Sequence, residues 1–153
     1  MFLIYLLVRI FTNQKELVIW GDEARYLATA KNFYRLWNKS FYDTHPPLYA
    51  WLIKIFGKTY KSGILVSLLC SIGFYFVSSK LYDVLGLTHY QKLIALTFLT
   101  FNYTLIYYSN RIFRYQLIAL LGTLMIYFSL TNQSVLAGCA WAYLVLTCTF
   151  AGL

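Results

Sequence analysis

Apolar positions along this chain come in long blocks separated by short polar stretches. The first block, MFLIYLLVRIF, supplies about half of the ~20 apolar residues that a membrane-crossing helix needs. No small-residue cleavage site follows it, so it reads as the latter part of a transmembrane helix rather than as a signal peptide. Further blocks run over Gly63–Ser79, closed by Lys80, over Leu93–Tyr108, with tyrosines where an interfacial belt would place them, over Leu117–Leu130, and from Val135 into the last residues. The pattern predicts an all-α, polytopic membrane protein. A partial first transmembrane helix covers 1–11, a loop covers 12–62, and transmembrane helices fill 63–153, with the chain expected to be cut at both ends.

The loop is too polar to span a bilayer, yet it is patterned. From Ala24 to Trp37, apolar residues fall at Tyr26, Leu27, Ala30, Phe33, Tyr34 and Trp37, which is helical spacing with one apolar face. A second helix is expected to start near Pro46 or Pro47 and run to Gly57. The residue before a proline avoids helical backbone, and proline suits a first helical turn. Its apolar positions are Leu48, Trp51, Leu52, Ile55 and Phe56, with Lys54 and Lys58 on the other side. Two amphipathic helices between spans are expected to lie in the membrane interface.

Composition sharpens this picture. Sixty per cent of residues are hydrophobic and 12% are charged, against about 25% in soluble domains. The net charge of +8 lacks the basic, aromatic-interleaved surface that nucleic acid needs, so anionic lipid is the expected partner of the charge. Cys70, Cys139 and Cys148 lie in apolar blocks with no metal-ligand spacing, and no bound metal or cofactor is expected. The Asn-x-Ser/Thr triplets at Asn38, Asn102 and Asn132 are read as chance, Asn102 falling inside a predicted span.

Three polar clusters could carry chemistry. Asp22 and Glu23 in WGDEARY open the first amphipathic helix, where the helix dipole favours acidic residues. Asp22, Arg25 and Tyr26 share a face, and a partly desolvated carboxylate at an interface can act as a general base. In FYDTHPPL, Asp43 and His45 flank a bend before Pro46 and Pro47, which is also what a turn and helix start require. In YSNRIFRYQ, Arg111 and Arg114 are expected on one helical face, able to grip a phosphate or to reach lipid headgroups. Counting spans puts this segment on the same side of the membrane as the loop, so the carboxylates and arginines can meet.

The acidic pair after the first span, followed about twenty residues later by FYDTHPPL, resembles the dolichyl-phosphate-mannose protein mannosyltransferases and their bacterial relatives, including the lipid A aminoarabinose transferases. These are membrane glycosyltransferases of the GT-C fold, and the resemblance covers Trp20 to roughly Tyr127. It departs where the family has an aspartate five residues after the arginine: after Arg111 that position is Gln116. The resemblance implies inverting transfer of mannose or a similar sugar from a polyprenyl- or dolichyl-phosphate donor to a hydroxyl of a protein, lipid or glycan. Asp22 would be the base and Glu23 would position acceptor or loop. Arg111 and Arg114 would hold the donor phosphate. Arg25, Tyr26, Asp43, His45, Pro46 and Pro47 would shape the site. The family builds its site from more spans than this chain contains, so the chain alone is expected to be inactive.

Lys and Arg counts point the other way on orientation. The loop holds eight (Lys15, Arg25, Lys31, Arg35, Lys39, Lys54, Lys58, Lys61), against Lys80 and Lys92 in the next. The positive-inside rule would make the loop cytoplasmic. The resemblance, which is more specific, makes it outer or lumenal, in a bacterial inner membrane or the endoplasmic reticulum. The alternative from another class is a non-catalytic polytopic protein, a transporter or scaffold. The prolines lie between the predicted spans, whereas a transporter would favour breaks inside them.

Overall fold

The computed structural model describes residues 1–11, 21–32 and 47–147. Every regular element among them is helical: α1 (Phe2–Phe11), α2 (Gly21–Lys31), α3 (Pro47–Ile55), α4 (Tyr60–Val84), α5 (His89–Phe101), α6 (Tyr103–Ser109), α7 (Tyr115–Leu130) and α8 (Ser134–Thr147). The all-α expectation holds. Asp43, His45, Pro46 and the stretch from Phe33 to Trp37 lie outside the described residues, as does the loop's start.

α4 is the axis of the fold. Thr59 caps it, accepting the Ser62 amide at 3.1 Å while the Ser62 hydroxyl accepts the Thr59 amide at 3.1 Å. It packs along α7, which pairs in turn with α8. α2 lies on α3, and α1, α5 and α6 gather round α4 as well. One apolar cluster joins Tyr26, Ala30, Tyr49, Ala50, Ile53, Val66 and Leu117 around the first half of α4. A second joins Tyr5, Tyr75, Leu96 and Leu99 near its other end.

Much of this core is polar. α4 turns Ser62, Gly63, Ser67, Ser71 and Ser78 inward and Leu65, Leu69 and Phe76 outward. α1 buries Tyr5 and Arg9 and exposes Leu3, Ile4, Leu7, Ile10 and Phe11. This inverts the arrangement of a water-soluble helix, and small inward residues let backbones approach closely.

Of the expected series of spans, one is seen at full length among the described residues. α4, with 25 residues, is the helix among those described that is long and apolar enough to cross a membrane. α7 and α8 are apolar but shorter. The expected span Leu93–Tyr108 is divided at Asn102, whose backbone leaves the helical region (φ −65°, ψ 113°) and whose side chain accepts the Leu105 amide at 3.0 Å to start α6. Asparagine competes for backbone donors in this way, and hydropathy alone does not register it.

α3 also differs. Its core face is Tyr49, Ala50 and Ile53, all fully buried, with Leu48 and Leu52 at its edge. Trp51, Ile55 and Phe56, from the expected apolar stripe, face outward. Both faces are apolar, and the one that enters the core carries a hydroxyl with a partner inside, Tyr49 to Ser67.

Candidate functional site

α2 starts at Gly21, which puts Asp22 and Glu23 in its first turn, where the free backbone amides favour negative charge. Successive helical residues point about 100° apart, so the two carboxylates have different fates. Glu23 turns inward and is fully buried. Asp22 stays exposed and pairs loosely with Arg25 at 3.9 Å.

Glu23 meets the turn between α6 and α7. Its Oε2 lies 3.4 Å from Arg111 Nη1, and its Oε1 accepts the Ile112 amide at 3.0 Å. Residues 88 positions apart are thereby joined. Arg111 is only 3% exposed and lies over the Tyr107 ring at 5.4 Å. A charged pair at such depth persists because each partner satisfies the other; removing one leaves a stranded charge.

The same turn is held from its other side. Ser67 on α4 donates to the Arg111 carbonyl at 2.6 Å. The Tyr49 hydroxyl lies 2.5 Å from Ser67 Oγ, so the proton order runs from Tyr49 to Ser67 to the Arg111 carbonyl. Burial pushes the Tyr49 phenol well above its ordinary pKa, with the Ser67 hydrogen bond opposing. Gly63 completes the fit: a Cβ there would stand 2.7 Å from Ile112 Cδ1. α2 and α4 therefore meet residues 111 and 112 directly, with Tyr49 of α3 behind Ser67.

Tyr26, one helical turn beyond Asp22, is buried and packs edge-on against Tyr49 at 5.0 Å between ring centres. Its phenol is also pushed up, first by burial, with the nearby Arg114 guanidinium pulling it down. Arg114 stands just before α7 and donates to the Thr147 carbonyl at 3.5 Å.

The structure thus brings Glu23, Tyr26, Arg111 and Arg114 to one place, with Asp22 and Arg25 on its exposed rim. Arg111 and Arg114 do not share a helical face as expected. They sit in a turn, Arg111 held inward by Glu23 and Arg114 placed on the α8 side. Pro47 opens α3 as expected. Gln116 is buried and donates to the Leu105 carbonyl at 2.7 Å, binding α7 to α6.

Sequence reasoning missed Tyr49, Ser67, Gly63 and Arg9. A charge inside an apolar run, as at Arg9, was the readable signal. Ser67 and Gly63 were readable only as small residues in a span. Among the described residues no cluster of three His, Cys, Asp or Glu could hold a metal ion. Comparison with protein-family models, with curated proteins and with solved structures finds no match for this chain.

Proposed function

We propose that this chain carries the acidic site of a polyprenyl-phosphate-sugar-dependent membrane glycosyltransferase of GT-C type. One observation carries the reading most: Glu23 joins Arg111 across the fold while its neighbour Asp22 stays exposed on the same helical turn. One carboxylate of the pair is thus used to fix α2, and the other is presented on a fixed support. The inverted distribution of polar and apolar residues supports a bilayer setting.

In this reading Asp22 takes the proton of the acceptor hydroxyl. The acceptor oxygen attacks the anomeric carbon from the face opposite the phosphate. The bond from carbon to phosphate oxygen breaks, configuration inverts, and the polyprenyl phosphate departs with one more negative charge. Arg114, half-buried at the turn, is the cation placed to meet that charge. Arg111, held by Glu23, adds positive potential from behind and fixes the turn.

A non-catalytic membrane scaffold is the second reading. It is favoured by the mutual satisfaction of the Glu23–Arg111 pair, which needs no ligand. The two separate on Asp22→Asn in the full protein reconstituted with a polyprenyl-phosphate mannose donor and acceptor. Removing a general base lowers transfer by about 100-fold or more. Transfer retained by the variant contradicts Asp22 as base.

A further inference from the structure

Arg9 is the largest fully buried side chain that the proposed transfer does not use. It lies in the last turn of an apolar helix, fully buried, where a cation is costly and calls for a partner. Its partners are not acidic. Nη1 donates to the Thr100 carbonyl at 2.5 Å and Nη2 to the Leu99 carbonyl at 3.3 Å. Its guanidinium lies 3.7 Å from the centre of the Tyr5 ring. Tyr5 in turn donates to the Ser71 carbonyl at 2.7 Å, fixing α1 to α4.

Leu99 and Thr100 are the last-turn residues of α5. In an unbroken helix their carbonyls would accept the amides of residues 103 and 104. The break at Asn102 removes those donors. A planar guanidinium with parallel N–H groups replaces both, and its charge suits a helix C-terminus. Arg9 therefore sits at the point where the chain changes direction.

Beyond the break, α6 is two turns long and leads into the turn that bears Arg111. Local bonds tie this segment together: the Ser109 hydroxyl donates to the Ile106 carbonyl at 2.8 Å, the Asn110 amide to Tyr107 at 3.2 Å and the Asn110 side chain to Ile106 at 3.3 Å, and Gln116 holds Leu105, so a shift where α6 leaves the break is carried to Arg111. We propose that Arg9 is a positioning residue for the Glu23–Arg111 pair, fixing the exit of α6 from the break and hence where Arg111 arrives. The placement itself is independent of chemistry, and its consequence for transfer rests on the proposed function.

The test is hydrogen–deuterium exchange on the full protein in lipid nanodiscs, comparing wild type, Arg9→Gln and Arg9→Lys. Arg9→Gln is expected to speed exchange over 103–112 by about tenfold or more, with the middle of α4 changed less than about twofold. Arg9→Lys, which still donates to a carbonyl, is expected to fall between. In a Glu23→Gln background, Arg9→Gln is expected to add less than about twofold at 110–112, because coupled sites are not additive. Unchanged exchange over 103–112 in Arg9→Gln overturns the proposal. So does full additivity with Glu23→Gln. If Arg9→Gln loosens α4 equally, Arg9→Lys decides: selective loosening of 103–112 supports the role, and uniform loosening overturns it. Exchange needs no donor or acceptor, so a wild type that transfers no sugar defeats the proposed function alone.

Discussion

Adjacent carboxylates separate into two kinds of energy at the residue scale. Asp22 is exposed, and its 3.9 Å pairing with Arg25 is of the surface kind, worth about 0–1 kcal/mol. Asp22→Asn is therefore expected to change stability by less than about 0.5 kcal/mol, within the ordinary range of surface substitutions, as thermal unfolding of the purified protein would show. Glu23 is the opposite case. Glu23→Ala strands a buried guanidinium and the Ile112 amide together, and is expected to cost about 3–5 kcal/mol in the same measurement. Tyr49 sets a pH limit. Its folded-state pKa lies above the ordinary value of 10.0, so the folded state holds the proton more tightly than the unfolded chain. That stabilisation is fully present below pH 10 and is lost as the pH rises towards the folded value. Tyr49→Phe is expected to flatten the fall in stability above pH 10, while costing about 0.5–1.5 kcal/mol at neutral pH through the lost hydrogen bond to Ser67.

Close approach governs at the scale of elements. The 110–112 turn reaches α4 because Gly63 has no Cβ, and Gly63→Ala would press on Ile112. Overpacking of this kind costs about 1–3 kcal/mol, and here its effect is expected on the turn first, as weaker protection of the Ile112 amide. Much of the element order was legible. The apolar blocks became α1, α4, α7 and α8, and Pro47 opened α3. The carboxylates of WGDEARY were readable as the first turn of α2. What hydropathy could not register was direction. It took Leu93–Tyr108 as continuous because Asn102 counts as one polar residue in an apolar window, whereas its side chain ends one helix and begins another. It named the apolar stripe of α3 and left the inward face unread, the one that carries Tyr49, Ala50 and Ile53. It placed Arg111 and Arg114 on one helical face, whereas residues 110–114 form a turn in which Glu23 meets Arg111 and the Ile112 amide.

At the scale of the whole molecule, several polar side chains among the described residues are buried beside an apolar core, and many large apolar ones are exposed. Arg9, Ser67, Ser71 and Glu23 are buried, while Leu3, Phe11, Phe98, Phe101 and Trp141 are exposed. The proposed bilayer setting would suit the outward apolar side chains, and inward polar groups such as Glu23, Ser67 and Ser71 are paired within the fold, while Arg9 Nε and Gln116 Oε1 are buried without a hydrogen-bond partner. At the candidate site Glu23 is committed to the fold and Asp22 is left at the exposed rim. The most direct test of that division is sugar transfer from a polyprenyl-phosphate donor and melting temperature, measured together on the reconstituted full protein carrying Asp22→Asn. The account predicts transfer lower by about 100-fold or more with an unchanged melting temperature. Wild-type transfer in the variant, or a loss of transfer that follows a loss of fold, would contradict it.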